Sequence, residues 1–139
     1  PNSFHLNGDQ KGGQYSSFTY RPFTLEGNFA FAQGVNEMLI QSYNDRIEIF
    51  PAIPNSWKDV SFHNLRTEGA FLVSAGKENG VADEVTITAT QANMLFVKLP
   101  FKTWLVRGIE RKEVFDNGNN VSAVFLKKGQ TIVFKNGYE

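Results

Sequence analysis

The chain has no cysteine. Disulfides, thiolate metal sites and cysteine nucleophiles are therefore absent from its 139 residues, although a cysteine-free chain suits any redox compartment. Histidine is scarce: His5 and His63 are the two present. A metal site would want more ligands at helix or hairpin spacing, so neither a metal nor a cofactor is expected. Charge of one sign is not in excess, with 14 Lys plus Arg against 14 Asp plus Glu. Nucleic-acid or anionic-membrane partners, which call for surplus positive charge, are not expected. No apolar run reaches the roughly 18 residues of a spanning helix. The glycines at 8, 12 and 13 do not fit a phosphate-cradling loop. No signal-peptide pattern precedes the first residue, Pro1. That abrupt opening, inside an Asn/Gly-rich stretch, leads us to expect a fragment or a trimmed product.

Large apolar side chains, by contrast, are plentiful. Hydrophobic residues make up 41%, with 13 Phe and 2 Trp, enough to pack one domain core. Residues 1–21 are rich in Gly, Asn, Gln and Ser and read as loop. Pro22 biases Arg21 towards extended geometry. Asn28 can cap a helix through its side-chain oxygen. Beyond it Ala32, Val35, Leu39 and Tyr43 recur at helical spacing, with Phe31 and Met38 beside them. Gly34 lowers helix propensity but permits a close neighbour. Asn44-Asp45 is the expected stop.

After the helix the period changes to two. Short strands are expected at 46–50, 60–65, 70–75, 82–89, 94–99, 103–106, 111–115, 121–126 and 131–134. In residues 82–89, Val85, Ile87 and Ala89 share one side. Asn79-Gly80, Asn117-Gly118, Lys128-Gly129 and Asn136-Gly137 stand where hairpin turns would fall. Pro51 and Pro54 mark a loop, with Trp57 as its expected anchor. The expected fold is therefore mainly β: an antiparallel β-sandwich preceded by a loop and one amphipathic α-helix.

Several blocks, taken in order, carry a family resemblance. They are Phe23-Thr24-Leu25-Glu26-Gly27-Asn28-Phe29, then Glu37-Met38-Leu39-Ile40-Gln41-Ser42, then Ile49-Phe50-Pro51-Ala52-Ile53-Pro54 with Trp57. Leu65-Arg66, Gly69 and Phe71-Leu72-Val73 complete the set. Across roughly residues 20–75 the chain resembles the C-terminal part of bacterial glycoside hydrolase family 95, the inverting α-L-fucosidases and related α-L-galactosidases. The last third matches only as general β sequence.

The resemblance implies a multidomain parent with an N-terminal β domain, an (α/α)6 barrel and a C-terminal β domain. Residues 1–44 would be a loop and the terminal helix of that barrel, and residues 45–139 the C-terminal domain. The remainder of the parent chain would cover the helix stripe. The parent would be periplasmic or secreted. It would act on a carbohydrate substrate, and the isolated chain would be inactive. The resemblance also implies a role for Glu26: its carboxylate would support the general base by polarising upstream Asn side chains that orient the attacking water. The general acid would be an upstream Glu.

Two positions depart from the family pattern, Glu26 for Asp and Ala30 for Gly. The extra methylene moves the carboxylate by roughly 1.5 Å, a shift to which reacting geometry is sensitive.

Each candidate also has a plain structural reading. Glu26 fits a first-turn acid stabilised by the helix N-terminus as well as a partner to an acid across the sugar. Asn28 fits a cap as well as a substrate contact. Tyr20 and Arg21 suit a sugar site as well as loop packing. Asp59, Ser61 and His63 compose a triad only on paper, because triads are defined by geometry. Two alternatives to the enzyme segment stay open. One is a carbohydrate-binding sandwich using Trp104 or Phe101. The other is an assembly domain that self-associates through the stripe of Val35, Leu39 and Tyr43.

Overall fold

Period-two alternation decides the architecture. The computed structural model of the protein describes residues 25–137, and for Leu25 and Glu26 the backbone alone. Contacts divide the chain into two compact units, residues 1–36 and 37–139. Among the described residues one helix, α1 (Leu25–Leu39), precedes ten strands. These are β1 (Ile40–Tyr43), β2 (Arg46–Ile49), β3 (Val60–Thr67), β4 (Phe71–Glu78), β5 (Val81–Ala89), β6 (Asn93–Lys98), β7 (Trp104–Arg107), β8 (Phe115–Asp116), β9 (Val121–Leu126) and β10 (Thr131–Asn136).

The strands form two five-stranded sheets, ordered β1-β2-β6-β9-β8 and β3-β4-β5-β10-β7. The expected mainly β fold, with one helix ahead of two packed sheets, is borne out. In the second sheet Phe71, Val73 and Ala75 of β4, Val85, Ile87 and Ala89 of β5, and Ile132 and Phe134 of β10 point inward. They join Ile47, Ile49, Leu95, Val97, Val124 and Leu126 of the first sheet in one core. Each such side chain, fully buried, stabilises the fold by roughly 1.5–3 kcal/mol. Pairing is antiparallel except at β2–β6, where Ile47 and Glu48 run parallel to Val97 and Lys98.

The helix ends earlier than its apolar period predicts. In a longer helix the Met38 and Leu39 carbonyls would accept from Ser42 and Tyr43. Instead the Ala52 N–H reaches the Met38 oxygen at 3.4 Å and the Phe50 N–H reaches the Leu39 oxygen at 2.8 Å. Residues 40–43 are thereby released to pair with 46–49. Asn44-Asp45 is not a helix stop but a two-residue hairpin turn, with φ of 53° and 59°, the left-handed pair that such turns require.

Other differences have similar local causes. Residues 111–113 form a 3-10 turn rather than a strand, closed by reciprocal bonds between Glu110 and Glu113. Asn79-Gly80 and Asn117-Gly118 do sit in hairpin turns. Lys128-Gly129 instead crosses between the sheets, with the Gly129 N–H on the Ala89 oxygen at 2.7 Å. Gly137 follows the last strand and donates to the Thr103 oxygen at 3.0 Å. No neighbour among the described residues uses the space at Gly34.

Candidate functional site

The helix and the proline loop meet at a built junction. Phe50 adopts φ 55°, a left-handed conformation that costs a non-glycine residue roughly 1–2 kcal/mol. The strain is offset locally. Its N–H bonds the Leu39 carbonyl, and its ring packs edge-on against Phe62, with centroids 5.6 Å apart at 76°. Pro51 can then turn the chain so that Ala52 reaches Met38. The Ile49–Pro54 block therefore satisfies the last-turn carbonyls of α1, groups that a helix end otherwise leaves open. It fastens the C-terminal end of the helix whose first turn contains Glu26.

The predicted site residues fare differently. Glu26 occupies the second position of α1, and its side chain lies outside the described residues, as do Tyr20 and Arg21. Asn28 is not a cap. It is the fourth residue of α1, partly buried and with a bonding partner of its own. The expectation of a cap failed because the helix starts at Leu25, four residues before the Phe29 start that a cap at Asn28 requires. The self-association stripe is not continuous either: Leu39 packs on the core, and Tyr43 stands in β1, 54% exposed. The Tyr43 phenol donates to the Glu37 carboxylate, and that bond, with a smaller desolvation effect and the charges of Glu37 and Glu68, raises its pKa above the usual tyrosine value.

A polar cleft of about 310 Å³ lies beside the first hairpin. Its Ser42, Asn93 and Arg46 side chains are engaged in holding the fold. Ser42 Oγ accepts from the Glu68 N–H at 3.2 Å. Asn93 Nδ2 donates to the Gly69 oxygen at 3.2 Å, and its Oδ1 accepts from the Met94 N–H at 2.8 Å. The nearby Glu48 carboxylate is held by Arg46 at 2.6 Å and Lys98 at 3.4 Å. These bonds tie sheet edges together and leave the cleft's Ser and Asn committed.

The aromatic sugar platforms are also committed. Trp104 packs edge-on against Phe134 at 5.1 Å and 89°, while the Arg111 guanidinium lies 4.1 Å from its ring centroid. Phe101 is half-buried against the core. Trp57 is 40% exposed, so it is not the buried loop anchor that its sequence position predicts. Asp59 spends Oδ1 on the Asn79 N–H at 2.8 Å, while Ser61 and His63 are exposed along β3. His5 lies outside the described residues. No cluster of three His, Cys, Asp or Glu suited to a metal occurs among the described residues.

Residues 41–136 match the family model for glycoside hydrolase family 95, C-terminal domain. That span runs from the second residue of β1 to the last of β10, which is the double sheet almost entire. Over 67 residues the sequence is 40% identical to a protein named Alpha-L-fucosidase 2 from Arabidopsis thaliana. The aligned part takes in 46% of this chain and 8% of that relative. The chain thus spans under a tenth of the length of the curated protein it matches. Glu26 and Asn28 precede the family match.

Proposed function

This chain belongs to the glycoside hydrolase family 95 C-terminal domain family, and on that footing we propose that its parent enzyme removes terminal α-L-fucosyl or closely related residues with inversion. As a domain of that family, the chain is part of a larger glycoside hydrolase. The observation that carries the substrate is the 40% identity to a protein named for α-L-fucose release. Glu26 serves as the carboxylate that supports the general base, and Asn28, Tyr20 and Arg21 line the sugar. The acid comes from upstream of this chain, so the isolated chain is inactive. Inversion requires room for a water between the two carboxyl groups, a separation of roughly 6.5–9.5 Å.

In this reading the domain's contribution is positional. The Phe50–Ala52 bonds to α1 hold the end of the helix, and effective catalysis depends on placing reacting groups to well under an ångström or two. The alternative of a sugar-binding module is disfavoured by the Arg111 guanidinium over Trp104.

The test is hydrolysis of an α-L-fucoside by the full-length parent, followed by proton NMR from the first turnovers. The expected first product is β-L-fucose, which then mutarotates. Early α-L-fucose would refute inversion, and no fucose release would refute the substrate.

A further inference from the structure

The two sheets do not present equal outer faces. On the outer side of the second sheet Leu72, Val133 and Leu105 are interspersed among polar residues, each directly opposite one: Leu72 pairs with Thr88, Val133 with Thr86 and Arg107, and Leu105 with Lys135. An apolar side chain set singly among polar partners is ordinary for a face that meets water. The first sheet carries Met94 and Phe96 on β6, Phe125 on β9 and Phe115 on β8 on its outer side. Met94 pairs directly with Phe125, Phe96 with Ala123, and Ala123 with Phe115. Directly paired residues share a face and stand roughly 4.5–5.5 Å apart, and diagonal neighbours roughly 7–8 Å. The four side chains are therefore contiguous. Met94 is 43%, Phe125 53% and Phe115 63% exposed. Met94, Phe115 and Phe125 line a concavity of about 1140 Å³ whose rim carries charges, including Glu113 and Lys127. A contiguous apolar face with a charged rim marks a docking surface.

We propose that this face is the seat of the catalytic portion of the same parent polypeptide, the part that precedes residue 1. The proposal rests on the chain's membership of a multidomain glycosidase, and not on which sugar that enzyme takes. The chain is 46% covered by an alignment that spans 8% of its relative, so a far larger body of polypeptide lies outside it. That body joins the β domain through α1, which leads into β1. Strand β1 is one edge of the very sheet whose other edge is β8. A body tethered at the β1 edge covers the Phe115–Phe125 face by lying across its own sheet. Covalent attachment also sets its effective concentration near the millimolar range, above that of a second copy in ordinary solution. Intrachain domain interfaces of roughly 600–1,500 Å² are the norm.

The experiment uses the full-length parent with the photo-reactive p-benzoylphenylalanine placed at Phe125, at Phe115, or at Thr86 on the polar sheet as control. After irradiation, linked peptides are mapped by mass spectrometry. The expected result is monomer-mass protein with links from 115 and 125 into peptides preceding residue 1, and none from 86. Links confined to residues 25–137, or equal yields from all three sites, overturn the proposal. Dimer-mass products overturn it in favour of a second copy. Because a bulky insertion at one site could disturb the interface, Phe115 and Phe125 are tested independently, and silence at both counts against docking. The same unsubstituted enzyme is assayed on an α-L-fucoside. Links without fucose release support the docking face and overturn only the proposed substrate.

Discussion

Gly108 and Gly118 share a backbone conformation but not a neighbourhood, and this pair allows strain and steric overlap to be separated. Their φ angles are 86° and 78°. A Cβ added at Gly118 meets nothing within 4 Å. Gly118→Ala should therefore cost only the left-handed penalty, about 1 kcal/mol. At Gly108 the added Cβ would overlap the Thr131 carbonyl oxygen and lie 3.5 Å from the Ile132 Cα. That oxygen cannot move away cheaply, because β10 is held by β5 on one side and β7 on the other. Gly108→Ala should add a backbone overpacking cost of about 1–3 kcal/mol, for a total of about 2–4 kcal/mol. Urea unfolding of both variants measures the difference. With m near 1–3 kcal/mol/M for a small domain, Gly108→Ala should shift the midpoint two- to fourfold further than Gly118→Ala. Equal shifts would refute the steric reasoning.

Two more perturbations test the junction at the end of α1. Phe50→Ala and Phe50→Gly both lose the edge-on ring contact with Phe62, but glycine also relieves the left-handed backbone. Phe50→Gly should be the milder by about 1 kcal/mol, a reversal of the usual order, and urea midpoints check the sign. The Tyr43 phenol, held protonated chiefly by its bond to Glu37, should ionise above pH 10 when followed at 295 nm. Glu37→Gln should bring that midpoint down. Since the folded pKa is raised, Tyr43's contribution to stability is present below the unfolded value and is lost as pH rises through the folded one.

How far the sequence could be read depended on how local the deciding force was. The alternation of Val85, Ile87 and Ala89 named the inner face of β5 correctly because each residue carries its own burial signal. Asn79-Gly80 announced its hairpin through backbone sterics alone. The end of α1 was misjudged because it is decided at a distance, by N–H groups of Phe50 and Ala52 arriving from beyond a hairpin. A signal was available: Ile40–Tyr43 and Arg46–Ile49 flank Asn44-Asp45, two short segments around a left-handed turn pair. The outer aromatic face was missed because Met94, Phe115 and Phe125 become neighbours only through strand register. The candidate site was suggested by family resemblance and not by pattern. A single carboxylate in the first turn of a helix has a structural reading of equal standing.

We propose above that this chain lends a carboxylate to a glycosidase whose other catalytic groups lie upstream. The most direct measurement is kcat and KM on an α-L-fucoside for the full-length parent with Glu26→Gln and Glu26→Asp, alongside thermal unfolding to check the fold. Glu26→Gln should lower kcat by about 100-fold or more with the unfolding midpoint unchanged, and Glu26→Asp should keep more activity than Glu26→Gln. A folded Glu26→Gln enzyme turning over at the parent rate would contradict it.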